Sequence, residues 1–114
     1  MGSKADNVRV VETFLNCLKN KDLSDAPVAP DLYFAEPLMG EGRGAEALKA
    51  FVSGFFPALS DVRILQHISD GEHVATLWEI DGIFGTIPVF EMFRVVDGKI
   101  AEFRAFYDPR PILG

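Results

Sequence analysis

From Val8 onward the apolar residues recur at three- and four-residue spacing: Val8, Val11, Leu15 and Leu18, with Val10, Phe14 and Cys17 widening the stripe. That is the period of an α-helix with one broad covered face, and it predicts a helix over roughly residues 5–20. Ser3 or Asp6 is placed to cap its start, and Asn20-Lys21-Asp22 ends it. Pro27 and Pro30 then exclude helix, Asp31 to Ala35 reads as a short extended segment, and "EPLMGEGRG" reads as a loop. A second helix is predicted from about Ala45, with Ala47, Leu48, Phe51, Val52, Phe55 and Phe56 on one face, until Pro57 stops it.

From Asp61 the period becomes two. Val62–Ile68 and Val74–Ile80 flank Asp70-Gly71, and Ile87–Val96 and Ile100–Tyr107 flank Asp97-Gly98, two strong hairpin signals. The expected plan is α+β: two helices covering one face of a curved, four-stranded antiparallel meander. In the strand from Ile87, one face carries Ile87, Val89, Glu91, Phe93 and Val95, and the other carries Pro88, Phe90, Met92, Arg94 and Val96. A sheet covered by helices on one side and still apolar on the other predicts a homodimer through that sheet face. For Val74–Ile80 the set Val74, Thr76, Trp78 and Ile80 is expected to point inward.

The chain of 114 residues suffices for one domain, read as a tail or expression remnant over 1–4 and a single domain over 5–114. Its net charge is -6 and its basic residues are scattered, which argues against nucleic acid or an anionic membrane as partner. No apolar run has the length of a membrane span, and the first residues lack a signal-peptide pattern. One cysteine, Cys17, excludes an internal disulfide and suits a cytoplasmic location. Ten Phe, two Tyr and one Trp point to a thick core or a greasy cavity.

The chemistry-bearing candidates are few. His67 and His73 flank the first hairpin; with a two-residue turn His67 pairs with Val74 and Ile68 with His73, so the histidines face opposite ways and share no metal. Both are expected at the surface or rim, and no metal or other cofactor is expected. Cys17 lies in a helix-packing stripe and reads as a structural thiol, and Gly40–Gly44 lacks the Lys-Ser/Thr of a phosphate loop. Two carboxylates stand out. Glu36 precedes Pro37, which holds it extended; its bland reading is a solvated loop acid. Glu91 sits mid-strand among apolar neighbours: facing the helices it would be protonated and able to donate a hydrogen bond. Facing outward it would pair with Arg94 or Arg104.

Taken in order, "FLNCLKNKDL", "FAEPLMGEGRGAEALKAFV" and "FEMFRVVDGKIAEFRAFYDP" resemble the nuclear transport factor 2-like superfamily over nearly the whole chain. That superfamily includes SnoaL-like polyketide cyclases, steroid delta-isomerase and limonene epoxide hydrolase. The resemblance implies a cone-shaped, cystatin-like α+β barrel with N-terminal helices packed on a curved antiparallel sheet. Against the isomerase, Glu36 matches the base that precedes a proline, and Glu91 matches the acid that hydrogen-bonds the dienolate oxygen. The helix-one tyrosine of that site is matched by Phe14, with Tyr33 or Tyr107 as possible sources of a replacement hydroxyl. Against the epoxide hydrolase, the required acid falls on Ala105 and the preceding Arg-x-Asp near Trp78-Glu79-Ile80, so two of three positions are apolar, which argues against that activity. "DLSDAPVAPDLYF" is about two residues shorter than the family form and has prolines where a short helix would lie, which is expected to reshape one pocket wall.

Two functions are consistent with this pattern. One is an isomerase- or cyclase-type enzyme without metal, with Glu36 as catalytic base and Glu91 as catalytic hydrogen-bond donor. The other is a non-catalytic ligand-binding or dimeric accessory protein. Unless the protein is an accessory dimer with no substrate at all, the occupant is a small apolar molecule in a cavity lined by Phe14, Phe34, Phe51, Phe55, Trp78, Phe93, Phe103 and Tyr107.

Overall fold

The computed structural model describes residues 3–114. Helix α1 spans Lys4–Lys19, and its first turn is held by a reciprocal capping box between Ser3 and Asp6. Val11, Phe14, Leu15 and Leu18 are buried along it, as the stripe predicts. Asn7 is buried too, because its side-chain amide donates to the Gly71 carbonyl at 2.7 Å, tying the start of α1 to a hairpin turn.

Six strands follow: β1 (Val28–Glu36), β2 (Gly40–Arg43), β3 (Leu59–Ser69), β4 (His73–Gly82), β5 (Gly85–Val96) and β6 (Lys99–Phe106). Helix α2 (Ala45–Ser53) lies between β2 and β3, and a short helix α3 (Arg110–Leu113) closes the chain. The sheet order is β2-β1-β6-β5-β4-β3. The meander is therefore only part of the sheet. β1 adds to β6 in parallel, and β2 pairs back on β1 through the segment expected to be loop. The parallel pairing is interrupted between Val28 and Tyr33, around Pro30, which has no N–H to give. The result is a six-stranded, curved mixed sheet rather than an antiparallel one, with the cone-shaped α+β form expected.

Helix α2 stops at Ser53, with Gly54 as its cap, and Pro57 instead falls within a 3-10 turn over Phe56–Ala58. Gly44, at φ 111°, lets the chain turn from β2 into α2. The β3–β4 connection is longer than two residues: Ser69 pairs with Val74 and His67 with Thr76. A two-residue slip preserves facing, so His67 and His73 still point to opposite sides.

The two faces of the sheet differ sharply. Ile87, Val89, Glu91, Phe93 and Val95 of β5 are all buried against the helices, as are Val74, Thr76 and Trp78 of β4. On the outer face Phe90, Met92, Val96 and Phe106 are exposed. The narrow end of the cone is filled by rings: Phe14 meets Phe93 edge-on at 6.0 Å, and Phe34 stacks on Phe103 at 6.1 Å. Among the described residues no helix is long and apolar enough to cross a membrane.

Candidate functional site

Strand register places the two singled-out acids in one row. Glu91 on β5 lies between Thr76 on β4 and Ala105 on β6. Because β1 runs parallel to β6 with Ala35 opposite Arg104, Glu36 comes beside Ala105 one residue on. The backbones of Glu36 and Glu91 are thus two strand spacings apart, about 10 Å, with a single methyl between them. That small side chain leaves a trough in the sheet, and α1, α2 and α3 wall it in.

The trough is the floor of a cavity onto which both Glu36 and Glu91 open. Measured to the centres of water molecules its volume is about 110 Å³. One water needs about 10–15 Å³ on that measure, so a compact molecule of several non-hydrogen atoms fits. Its walls are aliphatic and aromatic, and among the described residues Glu36, Glu91 and Tyr107 are the only titratable groups that line it.

Glu91 is 3% exposed and faces this cavity, so the outward pairing with Arg94 or Arg104 is not formed. Those arginines engage Glu102 instead, and Arg94 also meets Glu72. Burial pushes the Glu91 carboxyl up to about 8, opposed by the hydrogen bond from Trp78 and reinforced by the nearby Glu36 carboxylate. Trp78 Nε1–H donates to Glu91 Oε1 at 3.1 Å. Among the described residues no other group bonds Glu91, yet no buried side-chain oxygen of theirs lacks a partner. Oε2 therefore keeps its access to the cavity, and when Glu91 is protonated it is the oxygen free to present the proton.

Glu36 is not a free loop acid. Tyr107 donates its hydroxyl proton to Glu36 Oε1 at 2.5 Å, and the Met39 backbone N–H donates to Oε2, closing the turn after β1. An ionised carboxylate has about four acceptor sites, so two remain for a ligand. Burial and the Glu36 hydrogen bond push the Tyr107 phenol well above its usual value, so it stays protonated as a donor. Of the two tyrosines considered as replacements at the Phe14 position, Tyr107 reaches the site, but it serves Glu36 and not Glu91. Tyr33 is remote from it, its ring flanked by the Arg43 and Arg104 guanidinium groups at 5.3 Å each.

The cavity brings together Phe14, Phe51, Phe55, Trp78, Phe103 and Tyr107 from the predicted lining. Phe34 and Phe93 do not reach it; both are buried on either side of Phe103 in the same strand row, packed against its ring. The sequence reading missed Leu38, Phe84 and Ile112, which line the cavity from the β1–β2 turn, the β4–β5 turn and α3. Ile112 is carried by α3, the short helix that follows Asp108-Pro109.

One further polar group is better buried than expected. His67 is 14% exposed at its side chain rather than at the rim, with Nδ1 2.8 Å from Thr76 Oγ1 and Nε2 3.3 Å from Glu12 Oε2. This acid–imidazole–hydroxyl chain has the composition of a hydrolytic triad. Thr76 is fully buried and lies outside the cavity lining, so the chain fastens α1 to the sheet and presents no nucleophile. Among the described residues no three His, Cys, Asp or Glu side chains are grouped to hold a metal ion.

A sequence profile of the SnoaL-like domain matches residues 11–103. The chain belongs to the SnoaL-like domain family. No curated protein matches this SnoaL-like chain in sequence. Solved structures do. A Kribbella flavida DSM 17836 protein has a TM-score of 0.84 at 22% identity, over 92% of this chain and 88% of its own. A candidate SnoaL-like polyketide cyclase from Jannaschia sp. CCS1 has a TM-score of 0.81 at 16% identity, over 99% and 92%. An LEH-like epoxide hydrolase from M. tuberculosis has a TM-score of 0.76 at 25% identity, over 96% and 88%. These likenesses establish the nuclear transport factor 2-like fold of the SnoaL-like chain and leave its chemistry to the residues in the cavity.

Proposed function

We propose that this SnoaL-like domain binds a small apolar carbonyl compound and transfers a proton next to the carbonyl, in the manner of a delta-isomerase or cyclase. The observation that carries the reading is the pairing of two acids with opposed environments across Ala105. Glu36 accepts two hydrogen bonds and has lone pairs to spare, the condition of a base. Glu91 is held neutral by burial, with Oε2 open to the cavity, the condition of a hydrogen-bond donor. A carbonyl oxygen at Glu91 Oε2 and an acidic C–H toward Glu36 span the trough. Glu36 takes the proton, the electron pair moves into the enolate, Glu91 stabilises the oxygen, and the proton returns at another carbon with no metal in the cycle.

Phe14 supplies no hydroxyl to the oxyanion, and the Trp78 N–H is already given to Glu91. The acceleration expected from the single donor is therefore smaller than from a site with two. That same observation favours a second reading, a non-catalytic pocket for the same class of ligand. The two are separated by α-proton exchange of phenylacetone in deuterium oxide, followed by NMR. Exchange above background that is lost in Glu36→Gln supports catalysis; exchange equal in the two proteins refutes it. The outer sheet face belongs to this reading as a homodimer surface, supported by exposed Phe90 and Phe106 paired across β5 and β6. Sedimentation as a monomer at high concentration would exclude it. The single cysteine supports a cytoplasmic setting.

A further inference from the structure

The charge balance of the cavity is one-sided. Among the described residues its lining holds two carboxyl groups and no Lys, Arg or His. Neither acid is neutralised from behind: the partners of Glu36 are a phenol and a backbone amide, and the partner of Glu91 is an indole N–H. Eight of the thirteen aromatic side chains of the protein line the same space. Aromatic ring faces carry negative potential, and a cation within about 6 Å of a ring centroid is attracted to it. Glu91 Oε2 is the polar atom of a nearly fully buried side chain, aimed into the cavity without a protein partner. Arg94, Arg104 and Arg63 are each paired with carboxylates, His67 is held by Glu12 and Thr76 under α1, and none of these enters the lining.

A neutral ligand leaves this negative potential uncompensated, and an anionic one works against it. We infer that the cavity selects an apolar molecule carrying a protonated amine, whose ammonium lies over the ring faces within the field of the Glu36 carboxylate and within reach of Glu91 Oε2. The inference rests on the cavity being the ligand site, as in the proposed function, and not on the proton-transfer step. An ammonium there also favours ionisation of Glu91, so its uptake is accompanied by proton release near neutral pH.

Trp78, the only tryptophan of the chain, lines the cavity and reports on it by fluorescence. The test compares 2-phenylethylamine, 2-phenylethanol and 3-phenylpropionate, matched in ring and reach, on the purified full chain at about pH 7. The expected order is amine tightest, by about tenfold or more over the alcohol, and carboxylate weakest. In Glu36→Gln the amine loses its advantage and falls toward the alcohol. Because Glu36 also closes a turn and that variant could fail to fold, the wild-type order decides the matter without it. Alcohol binding as tight as amine overturns the inference, as does no saturable binding of any of the three. Phenylacetone exchange separates the two claims. Exchange without amine preference leaves proton transfer standing and removes the cation. Amine preference without exchange does the reverse.

Discussion

Glu91→Gln is the substitution whose effect on stability the cavity dictates most directly. A buried acid with a raised pKa keeps its proton in the folded chain after the unfolded chain has lost it. The folded state then binds more protons between 4.5 and about 8, so stability is highest below that window, falls as pH rises through it, and stays low above it. At about 1.4 kcal/mol per unit the full loss is about 5 kcal/mol; entry of water to Oε2 from the cavity reduces it, so about 2–5 kcal/mol is expected. Glutamine keeps the shape and the acceptor for Trp78 Nε1, presents an N–H where protonated Glu91 presents its O–H, and does not titrate. Urea denaturation of both proteins at about pH 5, 7 and 9 should give nearly equal stabilities at the lowest pH and a growing advantage for Glu91→Gln above it. Titrating groups remote from Glu91 are common to both chains and cancel in the difference. Parallel stability curves, or an advantage that shrinks with pH, would refute a carboxyl held neutral by burial.

Trp78→Phe removes the one donor that favours the charged form of Glu91, so the pH at which stability stops falling should move upward in the same urea series. Tyr107→Phe takes the hydroxyl from Glu36 Oε1; a loss of about 0.5–1.5 kcal/mol is expected in thermal or urea melts, with a changed pH dependence of any α-proton exchange. Ala105→Leu fills the trough between the acids, and titration followed by Trp78 fluorescence should lose saturable ligand binding while the chain stays folded, at a stability cost of about 1–3 kcal/mol. Asn7→Ala cuts the 2.7 Å tie from α1 to Gly71, with about 1–2 kcal/mol lost and faster amide exchange confined to the first turns of α1 and the β3–β4 turn.

Local pattern alone located most elements because helices and hairpins are short-range structures. The stripe through Val11, Phe14, Leu15 and Leu18, the Asp-Gly turns, and the alternation in "PVFEMFRV" each report a period that neighbours a few residues away enforce. The same alternation was enough to put Glu91 on the face of Phe93 and Val95. β2 escaped because four residues rich in glycine carry no period, and they become a strand only by pairing with β1. The end of α2 escaped because Gly54 caps it before Pro57 can.

What sequence by itself determined, then, is the order of elements, the inward face of β5 and the presence of two acids of unusual setting. Only the tertiary structure decided what those acids can do together. The parallel addition of β1 to β6 joins residues from opposite ends of the chain, and no local pattern encodes it. That pairing brings Glu36 to Tyr107 and leaves Ala105 as the gap between Glu36 and Glu91. The side chains that close the cavity, from Phe14 to Ile112, meet only there. The pKa of a carboxyl depends on the surroundings that enclose it, so Glu91 becomes a neutral acid through the complete wall and not through its own strand.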